Sequence, residues 1–168
     1  MKWINLPTGE VIVAPVEDSL NGKLVCDMAV GGIGKVRRPI EIAAEKGRVE
    51  KVFSQDKEQM LRIKETFKTD RWADVVGEFA FGINPSARFV NEFLEAEKIL
   101  GTVHLAFGAN MDMPGGKNPS SNHMDLLFSS PTVKRTKEDG KKVMILKDGC
   151  FKILLQYRDR LSCYKNAI

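Results

Sequence analysis

Hydrophobic and polar residues alternate in short runs over the first 55 residues of the chain. Alternation of this length is typical of β-strands that bury one face. Glycine-containing segments separate the runs, at Asn21-Gly22, at Gly31 to Gly34 and at Lys46-Gly47, and such segments mark turns. The pattern therefore predicts strands at residues 10–14, 24–30, 39–44 and 49–53.

The apolar spacing changes to a helical period at residues 54–68. Ile63 and Phe67 lie four residues apart on one face, and Ser54 stands at a position that can cap the helix. A shorter helix is predicted at residues 86–94. Further strands are predicted at residues 102–107, 132–137, 142–146 and 150–155, with turn residues between them.

Many short strands combined with few helices indicate an α+β domain. The predicted architecture is a curled mixed sheet or a partial β-barrel with one main helix, at about residues 54–68, and one or two short helices. No repeat, low-complexity segment or linker interrupts the sequence. We therefore expect residues 1–168 to form a single domain, which is an ordinary length for one hydrophobic core.

The charge balance excludes several classes of partner. The 26 Lys and Arg residues nearly match the 22 Asp and Glu residues, and the basic residues are scattered, so nucleic-acid binding is not expected. No apolar run approaches the roughly 20 residues of a membrane helix. The three cysteines, Cys26, Cys150 and Cys163, are widely spaced and fit neither a disulfide framework nor a zinc ribbon. These features predict a cytoplasmic protein.

Residues 74–125 carry the chemistry of the chain. Glu78 lies in an apolar strand, His104 lies in another, and a loop rich in Gly, Asn and Ser leads into His123-Met124-Asp125. Taken singly, Glu78 is most simply a strand residue that faces solvent, and His104 is most simply a core histidine whose ring nitrogens are hydrogen-bonded. Together, the chain's only two histidines and several nearby acids, including Glu97, are a ligand set for a divalent cation. Their number exceeds what one zinc needs, which favours two bridged metals and hydrolysis by a metal-held hydroxide.

An ordered set of motifs resembles the C-terminal, metal-binding part of the aminopeptidase T and aminopeptidase S family of thermophilic-type metallopeptidases. The motifs are Leu6-Pro7-Thr8-Gly9-Glu10, Gly77-Glu78, Glu97-Lys98, Gly101 to Gly108 with His104, and Gly115 to Asp125. The resemblance implies two divalent ions (Zn, Co or Mn) held by Glu10, Glu78, Glu97, His104, His123 and Asp125. It implies Glu78 as a base or ligand, a peptide or small-molecule substrate and a homodimer. Glu10 is named as a metal ligand by the resemblance alone, which also selects Glu97 over Glu95.

The chain departs from the family pattern at two points. The resemblance implies a larger N-terminal α/β domain, whereas this chain begins at the Leu-Pro-x-Gly-Glu motif. We therefore expect a separately made domain, which another polypeptide could complement, a truncated gene product or a fragment of a longer protein. Met111 replaces a family tyrosine, and a thioether cannot donate a hydrogen bond. We therefore expect an aminopeptidase-like hydrolase domain first, and a catalytically inactive metal- or partner-binding domain second. The third hypothesis is a ring-cleaving dioxygenase of the dihydroxypyridine type, with Fe(II) on two histidines and a carboxylate.

Overall fold

Residues 6–90 and 93–152 are described by a computed structural model, and strands account for most of their regular structure. Neither helix in this part of the chain has the length and apolar character needed to cross a membrane. Strands β1 to β12 span Glu10–Val13, Gly22–Cys26, Ala29–Val30, Gly34–Lys35, Ile40–Glu45, Arg48–Phe53, Val76–Gly82, Val103–Gly108, His123–Phe128, Val133–Thr136, Lys142–Lys147 and Cys150–Phe151; helices α1 and α2 span Lys57–Thr66 and Phe93–Ala96.

The strands form three sheets. The largest has the order β1-β7-β8-β9-β3-β4, and two three-stranded sheets have the orders β2-β5-β6 and β10-β11-β12. The pairings between these strands are antiparallel. The sheets are open and curled and do not close into a barrel, which confirms the α+β class.

The main hydrophobic core covers one face of the six-stranded sheet. Phe107 of β8 and Leu126 of β9 are fully buried there against Ile42 of β5 and Ile63 of α1. The ring of Phe67 packs edge-on against Phe107, with centroids 5.3 Å apart. Full burial of side chains of this size stabilises the fold by about 1.5–3 kcal/mol each. Because this core occupies one face, alternate residues of β7, β8 and β9 point to the opposite face.

Helix α1 begins later than the sequence predicted. Asp56, not Ser54, is the N-cap, and its carboxylate accepts a hydrogen bond from the backbone N–H of Gln59 at 3.0 Å. The Ser54 hydroxyl instead accepts from the backbone N–H of Asp56 at 3.1 Å. Ser54 thus fixes the residue that caps the helix.

Two other predicted elements are wrong in extent. Residues 24–30 are not one strand, because the chain leaves β2 after Cys26 and re-enters a different sheet at β3. Asp27, at this break, accepts hydrogen bonds from the backbone N–H and hydroxyl of Ser129. In the helix predicted at residues 86–94, residues 86–90 are not helical and α2 begins at Phe93 and has only four residues; the Asn84 side chain accepts from the Ser86 backbone N–H, which favours a turn over a helix here. Strand β12 matches the start of the strand predicted at residues 150–155; it ends before Lys152, which lies in a bend, and residues 153–155 lie outside the described part of the chain.

The described cysteines differ in state. Cys26 is buried and free, and burial raises the pKa of its thiol to about 12. Cys150 is disulfide-bonded, which the sequence did not predict.

Candidate metal centre

The polar side chains of the site lie on the face of the six-stranded sheet opposite the main core. Ala106 of β8 is paired with Glu78 of β7 on one side and with Asp125 of β9 on the other. Residues two apart on a strand point the same way, so His104 and His123 share this face. Ala106 is fully buried, and its small side chain leaves room for the four larger groups around it.

Strand β1 and the segment after α2 add two more carboxylates. Glu10 is paired with Gly82, which lies on the same face of β7 as Glu78. Glu97 follows α2, in a segment whose Ile99 packs with Leu127 on this side of the sheet. The structure therefore brings together all six side chains that the sequence analysis named.

Glu78 lies between the two histidines. Its Oε1 is 2.9 Å from His104 Nε2, and its Oε2 is 3.3 Å from His123 Nε2. The His104 nitrogen is also 3.5 Å from Glu10 Oε2, and the His123 nitrogen is 3.5 Å from Asp125 Oδ1. The cluster consequently consists of two halves that share the Glu78 carboxylate.

Charge and burial shift the titration of these groups. Burial favours the neutral form of Glu78, but hydrogen bonds with His104 and His123 outweigh it and hold the pKa of Glu78 at about 2. Burial likewise disfavours the imidazolium forms, yet the facing carboxylates raise the pKa of His104 above its ordinary value and that of His123 to about 11. Burial, assisted by the nearby charge of Asp125, raises the pKa of Glu97 to about 6 against the opposing effect of its lysine partner.

Lys98 completes the inner part of the cluster. Its side chain is fully buried, its Nζ lies 2.6 Å from Glu10 Oε1, and it also contacts Glu97 Oε1. Four carboxylates thus converge with one ammonium group. One ammonium cannot balance four negative charges, so the remaining charge is balanced by the histidines or by bound cations.

The loop between β8 and β9 orients His123. His123 Nδ1 lies 2.7 Å from the Ala109 carbonyl, an arrangement that fixes the ring and turns Nε2 towards the carboxylates. Buried Asn118 accepts from the Ser120 N–H, and the Ser120 hydroxyl lies 2.9 Å from Asp70 Oδ2. Asp70 is 50 residues away in sequence, and no local pattern indicated this contact.

The structure separates Glu97 from its neighbour Glu95. Glu97 is buried in the cluster, whereas the Glu95 carboxylate accepts a hydrogen bond from the Arg88 N–H at 3.0 Å. Met111, which stands in place of the family tyrosine, is 66% exposed.

A groove opens beside His123. It has a volume of about 470 Å³ and lies between the β3–β4 turn and one side of α1. Ile33 and Met124 give it apolar walls, and Arg62 of α1 supplies a guanidinium group. Of the six side chains of the cluster, the imidazole of His123 lines this groove.

Divalent cations fit this donor set. Three sets of side chains, each with its ligand atoms within 4.8 Å of one another, can be drawn from the cluster: Glu10, Glu78 and His104; Glu78, His123 and Asp125; and Glu97, His104 and Asp125. Two buried atoms, Glu10 Oε2 and His104 Nδ1, lack a hydrogen-bond partner among the described residues. Unpaired buried polar atoms are costly. Carboxylate oxygens and imidazole nitrogens are ligands of zinc and related metals.

Comparisons with known proteins agree with this chemistry. A model of the thermophilic metalloprotease (M29) family matches residues 2–151. Among solved structures, wild-type AmpT from Thermus thermophilus is similar with a TM-score of 0.71 and 26% identity, covering 88% of this chain and 40% of that one. The 2,5-dihydroxypyridine dioxygenase from Pseudomonas putida KT2440 is similar with a TM-score of 0.68 and 21% identity, covering 86% of this chain and 44% of that one. At this identity, the similarity is one of fold alone. A search of curated proteins finds no significant match. The chain spans less than half the length of the two structures it resembles.

Proposed function

Because the chain belongs to the thermophilic metalloprotease (M29) family, we propose that it forms the metal-binding part of an aminopeptidase that holds two divalent cations. The observation that carries this proposal is the position of Glu78, whose two oxygens face two different histidines. A carboxylate shared in this way suits a pair of cations better than a single one.

We assign Glu10 and His104 to one cation and His123 and Asp125 to the other, with Glu78 shared. Glu97 lies close to both halves, within reach of His104 and Asp125. Zinc, cobalt and manganese are the candidates, because imidazole and carboxylate ligands suit these metals. When bound, such cations polarise a peptide carbonyl and lower the pKa of a water molecule.

The residues of the chain prepare the site for this chemistry. Glu78 is ionised at neutral pH, since its pKa is about 2, and it can hold cations or orient an attacking water. The acidic surroundings favour a substrate that presents a free amino group, because opposite charges attract in a partly buried site. The groove beside His123 offers space for a side chain of the substrate.

Metal analysis and peptide hydrolysis test the proposal together. We expect the purified chain to bind two equivalents of zinc, cobalt or manganese and to release the N-terminal residue from an aminoacyl-4-nitroanilide. Glu97→Gln should lower both metal content and hydrolysis, whereas Glu95→Gln serves as the matched control because the Glu95 carboxylate accepts from the Arg88 backbone N–H and belongs to none of the three ligand sets.

Other outcomes would contradict the proposal. One equivalent of iron with an oxygen-sensitive colour would favour a dioxygenase built on His104, His123 and Asp125. Two bound metals with no hydrolysis would favour a catalytically inactive binding domain, for which Met111 supplies a reason. A chain with no metal above trace and with unchanged stability in chelator would refute every metal-dependent function.

A further inference from the structure

Lys98 places a buried ammonium group inside a site that is suited to cations. Lysine is seldom fully buried in proteins, and it requires pairing where it is. Its Nζ lies 2.6 Å from Glu10 Oε1 and contacts Glu97 Oε1, so the ammonium joins two carboxylates from separate parts of the chain. One belongs to the edge strand β1, and the other follows α2.

The two oxygens of Glu10 differ in their surroundings. Oε1 is paired with Lys98, whereas Oε2 is buried without a hydrogen-bond partner among the described residues and lies 3.5 Å from His104 Nε2. An ammonium on one oxygen of a carboxylate leaves only the other oxygen free to bind a metal. The pairing therefore prevents Glu10 from chelating a cation with both oxygens.

From this geometry, and resting on the proposed function, we propose that Lys98 is a positioning residue for the metals. It limits Glu10 and Glu97 to one ligand oxygen each. It also supplies the positive charge that holds the two carboxylates together before any cation binds. Once cations are present, its charge opposes theirs and lowers their affinity.

A purely structural lysine predicts a different result. If Lys98 only filled space and paired two acids, its removal would destabilise the metal-free and metal-bound chains equally. In our proposal, bound cations replace the positive charge that is missing from the variant. Removal of Lys98 therefore destabilises the metal-free chain more than the metal-bound chain. By thermodynamic linkage, a variant that loses less stability when metal is bound must bind that metal more tightly.

The test uses Lys98→Met, which keeps the length of the side chain and removes the charge. Lys68→Met is the matched control, because Lys68 forms an exposed pair with Glu65 on α1. Melting temperatures are measured in chelator and in saturating zinc, and zinc affinity is measured by competition with a chromophoric chelator. We expect Lys98→Met to lose more melting temperature in chelator than in zinc. We also expect zinc affinity to rise by at least about 10-fold, which is the effect of removing one unit charge about 5 Å from a divalent ion even at the dielectric constant of water, about 80.

The visible spectrum of the cobalt-loaded chain reports the geometry separately from affinity. Without Lys98, both oxygens of Glu10 and Glu97 become available, the coordination number rises and the absorption of Co(II) weakens. Lys98→Gln can still donate a hydrogen bond but carries no charge. We therefore expect it to share the rise in affinity and to keep a spectrum closer to that of the natural chain. If Lys98→Met does not fold without zinc, Lys98→Gln provides the same comparison.

Failure of the two proposals can be told apart. A natural chain that binds no zinc contradicts the proposed function and, with it, this role of Lys98. A natural chain that binds zinc, with Lys98 variants of equal or weaker affinity and the same loss of melting temperature in both conditions, contradicts the role of Lys98 alone.

Discussion

Substitution of Asn118 tests how the β8–β9 loop is held against the sheet. Asn118 is buried; its Oδ1 accepts from the Ser120 N–H at 3.0 Å, and its Nδ2 donates to the carbonyls of Trp72 and Val75 at 3.1 and 3.3 Å. Each carbonyl keeps a second partner in Asn118→Ala, because Trp72 O also accepts from Val75 N–H and Val75 O also accepts from Gly108 N–H. The group left unpaired is the backbone N–H of Ser120.

These contacts give the expected magnitude. An orphaned buried N–H costs about 1–3 kcal/mol, and the two weaker hydrogen bonds add about 1 kcal/mol in total. Asn118→Ala should therefore lower the free energy of unfolding by about 2–4 kcal/mol. For a chain of this length, that corresponds to a fall of about 4–16 °C in melting temperature.

Urea unfolding of the chelator-treated chain measures this change directly. Asp112→Ala is the control, because Asp112 is an exposed residue of the same loop and its removal should change stability by no more than about 0.5 kcal/mol. The loop leads into His123, so zinc affinity should fall in Asn118→Ala and remain unchanged in the control. Equal stability of the two variants would refute the view that the buried amide holds this loop.

Two further predictions concern the same face of the sheet. At pH 7 His123 of the metal-free chain carries a proton, since the facing carboxylates raise its pKa to about 11, and they also raise the pKa of His104 above its ordinary value. Zinc must displace protons from these rings, so zinc affinity should increase from pH 6 to 8, and calorimetry in buffers of different ionisation heat should detect proton release. The same pKa shifts set the pH dependence of stability: the histidine–carboxylate pairs stabilise the metal-free fold most fully below pH 6.5, and the contribution of Glu78 is lost as pH falls from about 4.5 towards 2. A zinc affinity that does not change with pH would contradict these assignments. Gly108→Ala should destabilise the chain and weaken zinc binding, because Gly108 has φ +107° and an added Cβ would lie 2.0 Å from the Asn122 carbonyl beside His123. An unchanged melting temperature and an unchanged zinc affinity would contradict this prediction.

Local patterns in the sequence were enough to predict the positions of most strands and of the main helix. Alternation predicted β5 and β6 closely, because both strands bury one face. The errors arose where a side chain contacts the backbone nearby, as Asn84 does with Ser86, or where the chain changes sheet, as it does after Cys26. Such choices depend on contacts that hydrophobic periodicity does not record.

The candidate site was only partly accessible to the same reasoning. The i, i+2 spacing of His123 and Asp125 and the scarcity of histidine pointed to a cluster, and the structure brings these residues together. Glu10 entered through family resemblance alone, since a carboxylate at a strand end carries no local signal. The contact of Asp70 with the loop before His123 depends on tertiary folding. The homodimer and the cytoplasmic location stay predictions, and the disulfide at Cys150 removes one of the arguments for that location.

The two faces of the six-stranded sheet have different physical roles. The core face is apolar and supplies hydrophobic stabilisation, whereas the opposite face carries four carboxylates whose mutual repulsion opposes folding. The buried ammonium and the histidines that pair with these carboxylates offset part of this repulsion, and divalent cations bound to the same groups would offset more of it. Stability and metal affinity are therefore linked through the charge of this face. Substitutions that alter its charge should change both, while substitutions of equal size in the apolar core should change stability and leave metal affinity largely unaffected.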